Sequence, residues 1–355
     1  MDAVLREILE LARWAPSADN AQPWRFQPLG ERELILWYAP APDPGVFNLD
    51  HFAGRLAMGA LLETLALAAT AHGLIAEARP EPVVAQACPW GIHVVLRAEA
   101  GVTPSPLVSV VRRRTTQRRR MSLVPLDAAQ KRALEASVGK FYRIVWLEGW
   151  SNRLRMASLL YRTAKVRLLM PETFAVHRDT VAWGAKHSDD RIPSGAIGAD
   201  PLLQRVMSWT MQSQERVRLL NRLGGHWLPR VEMDLLPALA CAGHFLVCSE
   251  RPLDDPASQM EAGRALQRFW LTAESLGLRL QPEMVPPLFC GYARANRLFT
   301  RDAWAMAEMA VLCERFSQWV GARAWAQTAF MGRLGRGPAA VSRSLRKPLN
   351  VLLAP

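Results

Sequence analysis

The sequence has few cysteines and no long apolar run, and both absences narrow the class of protein. Its five cysteines, Cys88, Cys241, Cys248, Cys290 and Cys313, are odd in number and share no Cys-x-x-Cys spacing. We therefore expect neither a disulfide framework nor a zinc site, and we expect a reducing, cytoplasmic compartment. No uncharged apolar run reaches the roughly 18 residues that a membrane-spanning helix needs. The amphipathic, acidic start of the chain also differs from a signal peptide.

Acidic residues are scarce relative to basic ones. The 355 residues include 44 lysines and arginines against 32 aspartates and glutamates, for a formal net charge of +12. Most of the basic residues are arginines, whose guanidinium groups favour bidentate pairing with phosphate or carboxylate. The composition predicts at least one anionic ligand, so nucleic acid has to be considered. Half of the residues are hydrophobic, which indicates a globular chain of one large domain or two smaller ones.

The first stretch that suggests a ligand is the loop after a short amphipathic helix. Residues 15–26 read A-P-S-A-D-N-A-Q-P-W-R-F. Two prolines bracket six residues that are small or carry amide, hydroxyl or carboxylate groups. Such a loop can present backbone N–H groups and short polar side chains to a flat polar ligand. The alternative, a helix end and a turn buried by Trp24, would not account for Asn20 together with Gln22.

The pattern A-P-S-x-x-N-x-Q-P-W-R-F resembles the loop after the first helix in the flavin-dependent nitroreductase superfamily. The resemblance implies an α+β fold and a bound FMN that NADH or NADPH reduces before the flavin reduces a second, small-molecule substrate. It also implies that Ser17, Asn20 and Gln22 bind the ring and ribityl region of the flavin. No catalytic side chain is implied, because the cofactor itself carries the reaction.

The most charged segment covers residues 112–120, R-R-R-T-T-Q-R-R-R. Apolar residues precede it and an amphipathic segment follows, so we expect it inside a folded region. Arg114-x-Thr116-x-Arg118 resembles the R-x-S-x-R element that holds the flavin phosphate in nitroreductases, with Thr116 in place of serine. Guanidinium groups and a hydroxyl suit a dianionic phosphate. The alternative, binding of an anionic polymer or membrane surface, ranks lower because no aromatic platform for stacking is evident near the run.

Two apolar helices in the sequence resemble each other. Residues 54–74 and 263–278 both begin with Gly-Arg and end with Gly-Leu, before an extended segment. Nitroreductases use a helix that ends in this way in the core of their dimer, so the resemblance implies two nitroreductase-like halves in one chain, a pseudodimer. The halves would cover residues 1–105 and 106–355. A chance likeness between buried helices is the alternative.

A helical insertion at about residues 150–235 matches little in the nitroreductase pattern. It is either a set of core helices or a lid over the flavin. His177, His187, Asp189 and Asp190 lie in it, but their spacing fits no recognised metal site, so we expect no metal.

The order of the motifs affects how a flavin site would be assembled. In the family the phosphate element precedes the A-P-S loop, whereas here it follows about a hundred residues later, and no second A-P-S loop is present. One site can be formed from the loop of the first half and the arginines of the second, or two chains can exchange these parts in a homodimer. The resemblance further implies that Gln281 lies at the ring edge. Arg333, in a glycine–arginine segment over residues 332–338 expected to be a loop, and Arg343 would reach the phosphate.

The sequence thus predicts an FMN-binding NAD(P)H oxidoreductase of the nitroreductase type with an unknown electron acceptor. One alternative is a flavin-binding protein without turnover, with the insertion closing the nicotinamide site. The other alternative is a protein that binds anionic polymers or membrane surfaces through residues 112–120.

Overall fold

The computed structural model describes residues 1–43, 45–80 and 90–354. It is a mixed α+β protein, which confirms the class predicted from the sequence, and its two largest sheets have four antiparallel strands each. Pro44 and Cys88 lie outside the described residues.

The first sheet is built from the first hundred residues. The elements there are α1 (Ala3–Ala12), β1 (Trp24–Pro28), β2 (Glu33–Tyr38), α2 (Phe52–Thr70), β3 (Leu74–Pro80) and β4 (Trp90–Ala98). The strand order is β1-β2-β4-β3, and the two helices share one hydrophobic core with the sheet. By length and composition α2 is the one described helix that could cross a membrane, but most of it is buried inside the protein.

The rest of the chain forms the second sheet and most of the helices. Its elements are α3 (Ala128–Ser137), β5 (Tyr142–Glu148), α4 (Gly149–Leu169), α5 (Thr173–Thr180), β6 (Val181–Ala182), β7 (His187–Ser188), β8 (Ile192–Pro193), α6 (Pro201–Thr210), α7 (Gln214–Arg222), α8 (Trp227–Arg230), α9 (Leu236–Leu239), β9 (Gly243–Ser249), α10 (Pro256–Ser275), β10 (Leu278–Pro282), α11 (Val285–Arg294), α12 (Ala303–Val320), α13 (Ala322–Ala326), β11 (Thr328–Arg336), β12 (Arg343–Ser344) and α14 (Leu349–Leu352). The strand order is β5-β9-β11-β10. Phe245 and Val247 of β9 pack with α10, whereas Leu246 and Cys248 pack with α4 and α11–α13, as the two-residue period of a strand requires.

The two large sheets have the same topology. Each follows the order helix, two strands, helix, two strands, and in each the first strand lies at one edge and the third at the other. The second unit differs by helices α4–α9 between its first two strands and α11–α13 between its last two. The strands of the first sheet all precede residue 105 and those of the second all follow it. That the units are nitroreductase-like halves stays a prediction.

Helices α2 and α10 pack against each other through glycine. A Cβ atom on Gly59 would lie 1.9 Å from the carbonyl oxygen of Met260, and one on Gly263 would lie 2.1 Å from that of Leu56. The backbones meet too closely for any side chain at either position. Gly59 and Gly263 are 204 positions apart, and so are Leu56 and Met260, so the contact is reciprocal.

The same spacing relates both ends of these helices. They begin at Phe52 and Pro256, 204 positions apart, and Gly73 and Gly277, which follow them with φ values of 68° and 72°, have the same separation. The Gly-Arg pairs at 54–55 and 263–264 do not, so the alignment of those two pairs is wrong although the helices themselves match. Glycine supplies the left-handed conformation that ends each helix.

Three other sequence predictions are wrong. The apolar periodicity of residues 201–222, which Gly224-Gly225 follow, predicts a single helix. The structure has two, α6 and α7, because the Ser213 side chain accepts a hydrogen bond from the first turn of α7. Residues 332–336 belong to the interior strand β11, so their backbone groups bond to the sheet and do not form a phosphate-binding loop. Cys290 and Cys313 form a disulfide, with Cα atoms 5.6 Å apart, because α11 packs on α12.

Candidate functional site

A cavity of about 410 Å³ lies between segments from the whole length of the chain. Its volume is within the range of roughly 300–1,000 Å³ that is usual for small-molecule and cofactor sites. The walls come from the loop after α1, α2, the arginine run, the second sheet, the C-terminal tail and the α4–α9 insertion. Eight of the nine residues selected from the sequence line it: Ser17, Asn20, Arg114, Thr116, Arg118, Gln281, Arg333 and Arg343.

The loop after α1 has an unusual backbone. Asp19, Asn20 and Gln22 have φ values of 53°, 62° and 50°, in the left-handed region that non-glycine residues seldom adopt. The Oγ atom of Ser17 accepts a hydrogen bond of 3.0 Å from the N–H of Gln22, which closes the loop. Strained backbone of this kind persists only where surrounding contacts hold it, and it is common at binding sites.

The two amide side chains hold this loop against the insertion and the tail. Asn20 Nδ2 and Gln22 Nε2 donate to the carbonyl oxygen of Asp189, at 3.1 and 2.7 Å. Gln22 Oε1 accepts from the backbone N–H of Lys347 at 2.9 Å, and Asn20 Oδ1 accepts from Arg346 at 2.9 Å. Gln22 is 1% exposed and does not line the cavity; its hydrogen bonds hold the loop in position, and its contact with a flavin stays a prediction.

The middle of the arginine run lies beside β10 as extended backbone, after a turn at residues 111–113. Thr116 forms a parallel bridge with Leu280, and the N–H of Gln117 donates to the Leu280 carbonyl at 3.0 Å. Alternate residues of an extended chain share a side, and Arg114, Thr116 and Arg118 all line the cavity. The exposed arginines of the run are Arg112, Arg113, Arg119 and Arg120.

The C-terminal tail adds two arginines to the same end of the cavity. Strand β12 pairs in parallel with β7 of the insertion, which fixes the tail. Arg343 Nη2 donates to the carbonyl oxygen of Arg112 at 2.8 Å, and Arg346 Nε donates to that of Ala15 at 3.0 Å. Arg346 was missed in the sequence, although it lies in the same basic tail as Arg343.

Arg114, Arg343 and Arg346 form a cationic cluster without a carboxylate partner. Burial, and after it the charge of Arg343, lowers the pKa of Arg114 to about 10. Burial and the charges of Arg114, Arg343 and Arg13 lower the pKa of Arg346 well below its usual value. No carboxylate of the described residues forms an ion pair with the three. Bringing like charges together inside a protein is unfavourable unless an anion joins them.

Unpaired polar atoms are concentrated around the cavity. Among the described residues, fourteen buried side-chain nitrogen and oxygen atoms have no hydrogen-bond partner, and seven belong to residues that line it. Such atoms are uncommon in native proteins. Their concentration indicates a site that a polar ligand completes. The seven are Arg114 Nε, Thr115 Oγ1, Trp183 Nε1, Trp270 Nε1, Gln281 Oε1, Arg333 Nε and Arg343 Nε.

Arg333 also lines the cavity, but its charge is balanced within the protein. Its Nη1 donates to Glu283 at 2.8 Å and its Nη2 to the Arg118 carbonyl at 2.9 Å. Glu283 also accepts from His244 Nδ1 at 2.8 Å, and His244 Nε2 lies 2.9 Å from the Ala238 carbonyl. Burial alone would lower the pKa of His244, but Glu283 raises it to about 10, so the ring is protonated. The structure thus pairs Arg333 with Glu283, and its contact with a flavin phosphate stays a prediction.

The insertion supplies a largely apolar wall. Arg118 Nη1 donates to the Ala196 carbonyl of this segment at 3.2 Å. Burial, then the charge of Arg167, lowers the pKa of His177 to about 3, so that histidine is neutral near pH 7. Residues 150–235 therefore form one side of the cavity. The apolar side chains they contribute are Val181, Trp183, Ile192, Ile197, Met207, Met211 and Met233.

Two carboxylates also border the cavity. Burial raises the pKa of Asp19, and the charges of Arg118 and Arg167 act in the opposite direction. Asp19 is accessible to solvent, and it lines the cavity. Asp234 pairs with Arg167 at 3.3 Å, and burial raises its pKa as well.

Aromatic rings lie beside the arginines, contrary to the expectation from the sequence. The guanidinium carbon of Arg114 is 4.6 Å from the ring centre of Trp270, and that of Arg343 is 5.2 Å from Trp14. Trp270 comes from α10, far from the arginines in sequence. A search of the described residues finds no cluster of histidine, cysteine or acidic side chains that could hold a metal ion.

Compared with known proteins, the chain matches no family model and no curated protein.

Proposed function

We propose that this protein is an FMN-binding oxidoreductase of the nitroreductase type, which carries reducing equivalents from NADH or NADPH to a second small-molecule substrate. The observation that carries the proposal is the unneutralised cluster of Arg114, Arg343 and Arg346 at a cavity that the insertion lines largely with apolar side chains. A ligand that complements this cavity has a dianionic end and a flat, less polar end. FMN has this distribution in its phosphate and its three-ring isoalloxazine.

The residues present fit such a ligand. Arg114, Arg343 and the Thr116 hydroxyl would hold the phosphate, and the unpaired Nε atoms of both arginines mark that end as unsatisfied. Ser17 and Gln281, whose Oε1 has no partner, would face the ribityl chain and the ring. When bound, FMN supplies the redox chemistry by accepting a hydride from the nicotinamide and giving electrons to the acceptor. The protein orients the ring and restricts the access of water.

The shared topology of the two sheets supports a chain of two nitroreductase-like halves. The loop at residues 15–26 comes from the first unit and the arginine run from the second, yet both line one cavity. This arrangement supports one flavin per chain, with no need for a partner chain to complete the site.

A flavin-holding protein without turnover is the second candidate. It is favoured by the insertion, which forms one side of the cavity and is hydrogen-bonded to both the loop and the tail. A reactant entering from that side would have to displace this segment. Binding of an anionic polymer through residues 112–120 has less support, because Arg114 and Arg118 line the cavity.

The phosphate end is tested by comparing FMN with riboflavin, which lacks the phosphate, in a titration followed by flavin fluorescence. We expect at least about 100-fold tighter binding of FMN, because each charged hydrogen bond contributes roughly 1.5–3 kcal/mol. Arg114→Gln and Arg343→Gln should each remove about tenfold of this preference. Arg113→Gln, at an exposed neighbour in the same run, should leave it unchanged. Equal affinity for the two flavins, or no binding of either, contradicts the proposal.

Turnover is tested separately on the FMN-loaded protein. We expect anaerobic NADPH or NADH to bleach the flavin absorption, and re-oxidation to follow when an acceptor such as a quinone or a nitroaromatic compound is added. A flavin that stays oxidised in the presence of both nucleotides would support the holding protein instead.

A further inference from the structure

The insertion has an outer face that the cavity does not use. On its inner side α6 lines the cavity through Met207, and Met211 follows at its end. Leu202, Val206 and Trp209, at helical spacing i, i+4 and i+7, are 45–71% exposed. The helix is therefore apolar on both sides, which is unusual for a helix at the surface of a globular protein.

The exposed apolar surface continues through the next two helices. No residue of α7 is buried, and Leu219 and Leu223 are 56% and 76% exposed, followed by Trp227 and Leu228 of α8. The described residues include 21 exposed large hydrophobic side chains, and seven of them lie between residues 202 and 228. Exposed large apolar side chains concentrated in one stretch of the chain indicate an interaction surface more often than scattered single residues do.

Hydrogen bonds fix α7 to the rest of the insertion. Arg216 Nη1 donates to the Trp209 carbonyl at 3.0 Å, and Asn221 Nδ2 donates to the Leu168 carbonyl of α4 at 3.1 Å. The guanidinium carbon of Arg216 also lies 4.6 Å from the ring centre of Trp209. The apolar side chains thus belong to a held surface and not to a loose segment.

The charge of this surface is positive. Residues 201–230 include five arginines and one acidic residue, Glu215. Arg205, Arg218 and Arg222 are exposed, and none of them forms an ion pair with a described carboxylate. The surface combines tryptophan and leucine with unpaired arginine.

We propose that helices α6–α8 dock on the surface of a membrane that contains anionic lipid. Tryptophan and leucine enter the boundary between headgroups and acyl chains, and arginine side chains extend along apolar surface to reach lipid phosphates. The net positive charge selects an anionic surface over a neutral one. This inference does not depend on a bound flavin, because its residues lie on the outer side of the insertion.

Sedimentation of the full chain with lipid vesicles tests the proposal. We expect binding to phosphatidylcholine vesicles that contain phosphatidylglycerol, little binding to phosphatidylcholine alone, and weaker binding as salt rises. Absence of binding to the anionic vesicles, or equal binding to both kinds, overturns it. Light scattering of the chain without lipid measures its self-association. If the chain self-associates through this surface and does not bind vesicles, a second copy of the chain covers the surface and the membrane proposal is wrong.

Charge reversal locates the surface. The triple variant Arg205→Glu, Arg218→Glu and Arg222→Glu should lower vesicle affinity by about tenfold or more. The matched control reverses three exposed arginines elsewhere, Arg132→Glu, Arg301→Glu and Arg323→Glu, and so has the same net charge. A similar loss in both variants would show a general charge effect and contradict docking by α6–α8.

Apolar substitutions provide the second arm. Trp209→Ser with Leu223→Ser should lower affinity for the anionic vesicles by about tenfold or more, because large apolar groups leave the headgroup region. Leu298→Ser with Val341→Ser removes two equally exposed apolar side chains from other surfaces and should have no effect. All the substituted positions are exposed, and unchanged thermal unfolding verifies that the variants fold. Unchanged vesicle binding by the first pair contradicts the proposal.

Discussion

Two groups of buried arginines border the same cavity and differ in how their charge is balanced. Arg333 pairs with Glu283, which also pairs with His244, so two cations share one anion inside hydrogen bonds of 2.8 Å. Arg114 and Arg343 lie near each other, and burial lowers the pKa values of both. The charge of Glu274 opposes this lowering, but Glu274 is already bonded to Arg279 at 2.6 Å.

The difference separates a structural charge from a ligand-binding one. The charge of Arg333 is neutralised without any bound molecule, so removal of its partner should affect folding. In the cluster of Arg114, Arg343 and Arg346, two Nε–H donors have no acceptor and the positive charges repel one another. The cluster should therefore lower the free energy of unfolding until an anion binds. In the sequence, Arg333 lies next to glycine and Arg114 next to threonine, and neither neighbour shows how the charge is balanced. Only the carboxylate that pairs with Arg333 distinguishes the two sites.

The largest expected effect comes from breaking the balanced network. Glu283→Gln should lower the free energy of unfolding by about 3–5 kcal/mol, because it leaves Arg333 and His244 buried without an anion. Urea unfolding measures it. The control is Glu33→Gln, which breaks the partly exposed pair with His93 and should cost no more than about 1 kcal/mol. If both variants lost the same small amount, the Arg333 network would not be the balanced structural element described above.

An anion should stabilise the unbalanced cluster. Inorganic phosphate at about 100 times its dissociation constant should raise the free energy of unfolding of the flavin-free protein by about 2.7 kcal/mol. Chloride at matched ionic strength should not. Arg343→Gln should remove most of the phosphate effect, and the exposed Arg113→Gln should keep it. Equal stabilisation of both variants would mean that phosphate acts elsewhere.

The pH dependence of stability tests the same balanced network. The folded protein raises the pKa of His244 from 6.5 to about 10, so this histidine stabilises the fold fully below about pH 6.5 and loses that contribution as pH rises toward 10. His244→Asn should therefore flatten the fall in unfolding free energy between pH 7 and 10. His93→Asn, at the surface pair with Glu33, is the control and should keep the wild-type slope. A steep fall in the His244 variant would assign the pH dependence to other groups.

Several features of the fold and the candidate site are readable from the sequence. The helical periodicity of Leu5, Ile8 and Leu9 predicts α1, and the short apolar run in Glu33–Tyr38 predicts the buried strand β2, because both patterns are local consequences of burial. The alternate spacing of Arg114, Thr116 and Arg118 places them on one side of an extended segment for the same reason. The glycines at the contact between α2 and α10, Gly59 and Gly263, are separated by the same 204 positions as Gly73 and Gly277, so this repeat is visible in the sequence.

Other features depend on contacts between distant segments. Nothing in the sequence near Arg333 shows that Glu283 neutralises it, since the pairing arises from the register between β10 and β11. The same holds for the Cys290–Cys313 disulfide, which follows from helix packing. The placement of the insertion as a wall of the cavity depends on hydrogen bonds from Asn20 and Ser344 to its carbonyl groups.

By itself, the sequence determined the elements with a clear period, such as α1, and where the cationic and amide-bearing residues lie along the chain, because these follow from periodicity and side-chain chemistry within a few neighbouring residues. Only the tertiary structure decided which of those residues share a cavity and which arginines keep an unbalanced charge. The physical reason is that a buried charge is defined by its surroundings, and here those surroundings come from segments as far apart as Trp14 and Arg346.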